Sequence, residues 1–202
     1  MRDSLAQQTV VVIGGSGGLG SAVAALALGA GARVVALSRS GTAPDGVETY
    51  AVDATNLEAL GEALARVGVI DHLIHTAGTR APSKPLAEVD EALLAQTFGV
   101  KLFGAVQAVR LALPYLAERA SITFTSGQVS RKFGTGSLVK GMVNAAMDAA
   151  GRHLAKELAP RRVNVVSPGV VSTTLWGPAG SEVQTAALAR AAANLPVQRV
   201  GA

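Results

Sequence analysis

Residues 9–20 have types and spacing that suit the binding of a phosphate. Four apolar residues, 10–13, run into a cluster of five glycines, and an alanine-rich segment follows. Glycine permits a tight turn and lets backbone N–H groups approach a ligand closely. A helix that begins behind such a turn presents unpaired N–H groups and a partial positive charge, which attract a phosphate. A strand, a glycine-rich turn and a helix in this order predict a dinucleotide site. The predicted contact residues are Gly14, Ser16, Gly18, Leu19 and Gly20.

The residues after the second apolar run bear on which dinucleotide would bind. An acidic residue there would hydrogen-bond the ribose hydroxyls of NAD, but the sequence reads Ser38-Arg39-Ser40. Arginine presents a fork of donors that suits the additional phosphate of NADP. Ser38 and Arg39 therefore favour NADP(H) over NAD(H), and the alternative is an ordinary solvated arginine.

The elements that must position these residues alternate along the chain. Short apolar runs separated by segments of helical periodicity predict βαβ units and an α/β fold, a doubly wound parallel sheet of the Rossmann type. The predicted strands are residues 10–13, 33–37, 48–52, 71–75, 121–125 and 162–166. The predicted helices are residues 19–29, 57–67, 88–96, 100–116, 137–158 and 181–193. Because the helix at 137–158 is apolar nearly all round, we expect it to be buried on more than one side.

Four motifs in this order resemble the short-chain dehydrogenase/reductase family. The glycine turn is similar to the family's T-G-x-x-x-G-x-G, and Asp53 follows the third strand, where the family has an acidic residue that contacts adenine. His75-Thr76-Ala77-Gly78 stands where the family has N-N-A-G, and residues 164–173 match N-x-x-x-P-G-x-x-x-T. The resemblance implies that NADP(H) binds; an N-cap role for Asp53 is the alternative. The residues it assigns to the adenosine half are Asp53, Ala54, Ala77 and Gly78, and to the nicotinamide half Lys140, Pro168, Gly169, Val171 and Thr173.

The catalytic residues depart from the family pattern. The resemblance implies Y-x-x-x-K at the start of the long helix, with the phenol as proton donor and the lysine lowering the pKa of that phenol and binding the nicotinamide ribose. Lys140 fits the lysine, and Gly136 stands four residues earlier. The family's serine has the register of Gly127, so Ser126, one residue earlier, is the predicted residue for orienting substrate. Lys101 aligns with a family asparagine and either places a second ammonium near the site or, as we expect, extends to solvent.

Several neighbouring residues are secondary candidates. A glycine in place of the tyrosine would leave a void that admits a bulkier substrate, a water as proton donor or a substrate with its own donor. His75 is interpreted as a histidine at a strand end, and neither Tyr50 nor Tyr115 has a position that would replace the missing phenol. Residues 174–196 are expected to cover the substrate, and Trp176 either lines the pocket or packs in the core. The candidate hydrogen-bond donors are Gln128, Ser130 and Ser137.

Composition narrows the class of protein. A chain of 202 residues is expected to form one domain, residues 1–202. It contains no cysteine, which excludes a disulfide framework and a thiolate metal site, and no metal site is predicted. The net charge of +4 is scattered and aromatic residues are few, so we expect no nucleic-acid partner. Residues 5–32 carry no charge, but they contain five clustered glycines and divide into a short strand and a helix. We therefore expect neither a membrane span nor a signal peptide, and we expect the protein to be cytoplasmic.

These observations lead to one function and two alternatives. The resemblance implies an NADP(H)-dependent oxidoreductase that acts on a carbonyl or alcohol of a small molecule, with a non-standard active site. The alternatives are a non-catalytic cofactor-binding scaffold and a cyclase or isomerase without net redox change. The resemblance also implies a homodimer or homotetramer paired through the long helix. Since the family pattern continues past residue 202, we expect either a sheet that lacks the usual last strand or a sequence that is incomplete.

Overall fold

Six parallel strands form one sheet in the order β3-β2-β1-β4-β5-β6 in the computed structural model, which describes residues 4–78 and 81–201. The strands are β1 (Thr9–Ile13), β2 (Arg33–Ser38), β3 (Glu48–Ala51), β4 (Ile70–His75), β5 (Leu116–Thr125) and β6 (Arg162–Val166). The strand order reverses between β1 and β4, and the carboxyl ends of the two strands at such a reversal are the usual ligand position in a doubly wound sheet. The predicted α/β Rossmann-type sheet in a single domain is confirmed.

Six α-helices connect the strands and flank the sheet in the described part of the chain. They are α1 (Gly18–Gly29), α2 (Leu57–Val67), α3 (Glu91–Phe98), α4 (Gly104–Ala112), α5 (Leu138–Glu157) and α6 (Glu182–Ala193). Asn56 caps α2 by accepting a hydrogen bond from the Ala59 N–H at 3.1 Å. Ser181 caps α6 in the same way through the N–H of Gln184. These caps explain why the two helices begin close to their predicted starts.

The connection between β4 and β5 differs from the sequence prediction. The prediction had helices at 88–96 and 100–116, whereas α3 begins at Glu91 because Asp90 caps it, accepting from the Leu93 N–H at 2.8 Å. One turn of π-helix, Gly99–Phe103, then joins α3 to α4. The second helix ends at Ala112, and β5 starts earlier than predicted because Leu116 already pairs with Ile70 of β4.

The combined helix from α3 through α4 is apolar and long enough, at Glu91–Ala112, to span a membrane by length and composition alone. Its buried side instead lies in the protein: Ala105, Ala108, Val109 and Ala112 belong to the core beneath the sheet. Core helices pass the same hydropathy test, so this segment is weak support for a membrane span.

The two faces of the sheet bury different clusters. Alternate residues of β1 point to opposite faces, so Val11 and Ile13 join the core under α2, α4 and α5, while Val10 and Val12 pack with α1. Helix α5 lies close against β6 because Gly151 leaves no room for a side chain: a β-carbon there would stand 2.1 Å from Val165 Cγ2. This packing fixes the start of α5 beside the carboxyl ends of β5 and β6.

Candidate functional site

The glycine turn after β1 is closed against the end of β4. Gly14 has φ +90°, and a β-carbon there would stand 2.6 Å from the Ala77 nitrogen. A β-carbon at Gly20 would stand 2.1 Å from the Gly14 carbonyl oxygen. The Thr76 hydroxyl lies 3.1 Å from the Ile13 carbonyl oxygen and 3.2 Å from that of Gly14, to which it donates. The turn therefore keeps its shape only with glycine at these positions, and its role in binding a phosphate stays a prediction.

The outer side of the turn faces the segment that follows β6. Ser16 is exposed, and Gly18 and Leu19 are half-buried. A β-carbon at Gly18 would lie 3.3 Å from Thr173 Cβ, so the structure brings the predicted pyrophosphate turn next to a segment that the sequence analysis assigned to the nicotinamide half. The Thr173 carbonyl accepts a hydrogen bond from Gln184 Nε2 at 3.0 Å, which ties this segment to α6.

The segment after β6 is held by further backbone contacts. The Val171 carbonyl accepts a hydrogen bond from the Trp176 indole at 2.9 Å. The Pro168 carbonyl accepts from the Gln128 N–H at 2.9 Å, and Gly169 lies beside the Gln128 side chain. Because the Trp176 indole N–H binds the Val171 carbonyl, this side chain attaches the start of residues 174–196, the predicted covering segment, to the chain after β6.

The predicted adenosine end lies at the carboxyl ends of β2 and β3. Ser38 is buried at the end of β2, and Arg39 next to it is exposed. The Asp53 carboxylate accepts from the N–H and the hydroxyl of Thr55, and these bonds, with a smaller contribution from Arg39, hold the pKa of Asp53 below its usual value. Since Asn56 provides the cap of α2, the N-cap alternative for Asp53 is wrong. Ala54 is buried in the core.

Ser126, at the end of β5, is buried with an exposed fraction of 4%. Its hydroxyl donates to the Asn144 carbonyl at 3.0 Å, and Ser167 Oγ lies 3.3 Å away. Its N–H donates to the Val166 carbonyl at 2.8 Å. These contacts join β5, β6 and α5, and the predicted substrate-orienting role of Ser126 stays a prediction.

Lys101, in the π-helical turn, lies at the centre of a group of side chains with Ser126 and Asn144, which we call the Lys101–Asn144 cluster. Its ammonium donates to Asn144 Oδ1 at 2.7 Å and to the Ser126 carbonyl at 3.2 Å. Burial lowers the pKa of Lys101 to about 8. The expectation that Lys101 extends to solvent is wrong, because the π-helical turn directs this side chain inward, past Gly78, to acceptors on β5 and α5.

Asn144 is the residue of this cluster that the sequence analysis missed. It is buried, with an exposed fraction of 6%, and its amide donates to the Lys140 carbonyl at 2.7 Å. A β-carbon at Gly127 would stand 3.1 Å from Asn144 Oδ1, so Gly127 also borders the cluster. Spacing was the available signal, since Lys140-x-x-x-Asn144 repeats the interval of the motif Y-x-x-x-K one helical turn later.

Lys140 lies one turn before Asn144, in the first turn of α5. Its ammonium donates to the Ser83 hydroxyl at 2.5 Å, on the loop that follows β4. The same loop is attached to the entry of α5 through a hydrogen bond from the Lys84 N–H to the Gly136 carbonyl at 3.0 Å. The predicted role of Lys140 in holding the nicotinamide half is not tested by these contacts and stays a prediction.

His75, the last residue of β4, is buried with an exposed fraction of 2%. Burial, and to a smaller extent the Lys101 charge, lowers the pKa of His75 to about 4, so the imidazole is neutral at physiological pH. Its Nε2 has no hydrogen-bond partner within the described residues. The position agrees with the interpretation of His75 as a histidine at a strand end.

The two tyrosines lie away from this cluster. Tyr50 is in β3 and donates its hydroxyl to Glu48 at 2.8 Å, and Tyr115 directly precedes the amino end of β5. Of the secondary donors, Ser130 binds the Asp148 carboxylate at 2.8 Å and Ser137 binds the Gly134 carbonyl at 2.5 Å. Among these three donors, Gln128 is the residue that is exposed.

Comparison with known proteins extends over nearly the whole chain. The model of a family described as enoyl-(acyl carrier protein) reductase matches residues 14–202. The short-chain dehydrogenase/reductase ATR9 of Stachybotrys chlorohalonatus is 33% identical over 211 residues, which cover 93% of this chain and 83% of that protein. The L-xylulose reductase of Bos taurus is 34% identical over 194 residues, which cover 90% of this chain and 79% of that protein. A solved small-chain dehydrogenase in complex with NADPH superposes with a TM-score of 0.85 at 34% identity, covering 96% of this chain and 84% of that chain.

Proposed function

Because the chain belongs to the short-chain dehydrogenase/reductase family, we propose that it is an NADP(H)-dependent oxidoreductase that interconverts a carbonyl and an alcohol on a small molecule. One observation supports this proposal above the others: the closed glycine turn and the exposed Arg39 lie at the carboxyl ends of adjacent strands, β1 and β2. The turn suits the pyrophosphate, and the guanidinium suits the additional phosphate of NADP.

The remaining predicted contacts follow the same edge of the sheet. Asp53 and Ala54 follow β3, Ala77 and Gly78 follow β4, and the Pro168-Gly169 segment follows β6. In parallel strands these ends lie at one edge, so a dinucleotide with its adenosine phosphate at Arg39 would extend across β1 and β4 towards β5 and β6. When bound, NADPH supplies a hydride, and this chain's residues bind and orient it.

A proton must also reach the substrate oxygen during reduction of a carbonyl. Neither tyrosine lies in the Lys101–Asn144 cluster, so we propose an active site without the phenol of the family motif. A water held near the exposed Gln128, or a donor on the substrate itself, would then provide the proton. Residues 174–196 would cover the substrate, since Trp176 and Gln184 attach this segment to residues 171 and 173.

Equilibrium binding of NADPH and of NADH to the purified protein tests this proposal. We expect tighter binding of NADPH, followed by NADPH oxidation with at least one carbonyl in a substrate screen. Tighter binding of NADH would contradict the assignment of Arg39, and binding of neither would contradict the proposed function as a whole.

The position of the tyrosines favours a second candidate, a protein that binds the cofactor without net redox change. Such a protein is either a scaffold or a cyclase or isomerase on the same fold. Product formed with no change in the NADPH absorbance would identify the cyclase or isomerase. Tight NADPH binding with no product from any substrate would identify the scaffold.

We also propose a cytoplasmic homodimer or homotetramer that pairs through the outer sides of α4 and α5. The buried residues of α5, from Val139 to Gly151, occupy one side, which leaves Met142 39% exposed in the single chain. Phe103, which directly precedes α4, is 59% exposed. Light scattering that reports a monomer would contradict this pairing. The absence of cysteine supports a reducing compartment.

A further inference from the structure

The π-helical turn Gly99–Phe103 widens the helix between α3 and α4 at one place. Its hydrogen bond runs from the Gly104 N–H to the Gly99 carbonyl, five residues earlier. Such turns are rare and often occur at functional sites, because they redirect a side chain from an otherwise regular helix. Here the redirected side chain is Lys101, which extends between the ends of β4 and β5 instead of into solvent.

Within the described residues, the hydrogen bonds of Lys101 go to neutral acceptors, and the Asp148 carboxylate acts on its charge only from beyond salt-bridge distance. An ammonium has three N–H donors, and two of them bind the neutral oxygens of Asn144 and Ser126. Within residues 4–78 and 81–201, Lys101 forms no salt bridge and its third N–H has no acceptor. A cation largely removed from water with no carboxylate in direct contact is costly, and an anionic ligand beside it would reduce that cost.

The location of Lys101 relates this charge to one half of the cofactor. Lys101 Cδ lies 3.7 Å from the point where a β-carbon of Gly78 would stand, at the end of β4. Its ammonium lies at the end of β5, beside Ser126. Arg39 follows β2 and the glycine turn follows β1, whereas these two positions lie at the ends of β4 and β5. They are therefore on the far side of the glycine turn from Arg39, where the proposed cofactor would place its nicotinamide.

We propose that Lys101 is a cofactor-binding residue whose ammonium, positioned by Asn144 Oδ1 and the Ser126 carbonyl, donates its third hydrogen bond to the nicotinamide half of NADPH. This inference rests on the proposed function. The family motif would place the positive charge on α5, at Lys140. The inference places it on the π-helical turn instead, at Lys101. Asn144 is then a positioning residue.

Binding of two ligands separates this role from a structural one. We would titrate NADPH and adenosine 2′,5′-bisphosphate, which lacks the nicotinamide half, into the wild type, Lys101→Met and Lys101→Arg. Loss of a hydrogen bond from a charged group predicts that Lys101→Met weakens NADPH binding by about tenfold or more. Binding of the bisphosphate should stay unchanged, and Lys101→Arg should restore part of the NADPH affinity. Lys132→Met removes an exposed lysine near the site as the matched control.

Proton uptake provides a second readout. With a pKa of about 8, Lys101 is half protonated at pH 8 in the free protein, so a complex that requires the ammonium takes up about half a proton per NADPH. The charged and titratable groups facing Lys101 are Asp148 on α5, whose pKa is lowered, and His75 on β4, whose pKa is about 4, and neither titrates at pH 8. Calorimetry in two buffers of different ionisation enthalpy measures this uptake, which should disappear in Lys101→Met.

The outcomes distinguish the two proposals. NADPH binding that is as tight in Lys101→Met as in the wild type overturns the inference and leaves the proposed function standing. Equal losses for NADPH and for the bisphosphate also overturn it, because they indicate a structural role. A wild type that binds neither ligand overturns both the proposed function and the inference.

Discussion

The two ends of the candidate site are built in different ways. At the end formed by β1 and α1, the contacts that define the site belong to the backbone, and glycine is required where a β-carbon would collide with the Gly14 carbonyl or the Ala77 nitrogen. At the end formed by β5, the π-helical turn and α5, the contacts belong to side chains, chiefly Lys101, Asn144 and Ser126. The first end is specified by the absence of side chains and the second by their identity.

This difference sets what a substitution can do. A backbone site tolerates no added atom, but it needs only glycine at a few positions. At a side-chain site, a functional group can come from a different helix or strand. An ammonium, for example, can come from the π-helical turn instead of from α5. The second end can therefore change its chemistry while the fold and the first end stay the same.

The largest expected effect is at the backbone end. Gly20→Ala places a β-carbon 2.1 Å from the Gly14 carbonyl and 2.7 Å from the Thr76 hydroxyl. Because the backbone must move, we expect a loss of at least about 3 kcal/mol in the free energy of unfolding, at the upper end of overpacking costs. Chemical denaturation measures this loss.

Gly17→Ala is the matched control in the same turn. A β-carbon at Gly17 meets nothing within 4 Å, and the residue has φ −144°, which any residue can adopt. If the two substitutions destabilise the protein equally, then the close approach of Gly20 to the Gly14 carbonyl is not what requires glycine in this turn.

The next prediction concerns the buried histidine at the side-chain end. The pKa of His75 is about 4 in the folded protein, against about 6.5 when unfolded, so the unfolded state binds the proton more tightly. Stability from neutral His75 is present above pH 6.5 and is lost as the pH falls to 4, by about 3 kcal/mol in all. Denaturation of the wild type and of His75→Leu over this pH range measures the difference, since the carboxylates contribute equally to both. Parallel pH profiles would show that His75 is not buried as described.

Arg39→Ala tests how sharply the first end selects its ligand. The guanidinium is exposed, so its contribution is screened by solvent, and we expect NADPH binding to weaken by about tenfold. NADH has no additional phosphate, so its affinity should stay the same. The ratio of the two dissociation constants measures the effect, and an equal loss for NADPH and NADH would remove Arg39 from the specificity argument.

The same difference explains how far the sequence could predict the molecule. Apolar runs and glycine spacing predicted the strands, apart from the start of β5, and the glycine turn closely, because a strand pattern and a turn that excludes β-carbons are local properties. The inward direction of Lys101 depends on the π-helical turn, which no local pattern in residues 99–103 signalled. The partnership of Lys101 with Asn144 depends on how α5 packs on β6 at Gly151, a contact between distant parts of the chain. Only the register of the α5 motif that ends at Lys140 was predicted from the sequence, and the contact of Lys101 with Asn144 adds a second register that ends at Asn144.

The smallest expected effect separates these two registers. Lys140 binds the Ser83 hydroxyl, on a loop outside the Lys101–Asn144 cluster. We therefore expect Lys140→Ala to weaken NADPH binding by only about threefold, less than Lys101→Met does. Titration of NADPH into both variants under the same conditions gives the comparison. If Lys140→Ala loses more affinity than Lys101→Met, the positive charge at the nicotinamide half comes from α5, as the family motif implies, and the side-chain end has not exchanged its ammonium between elements.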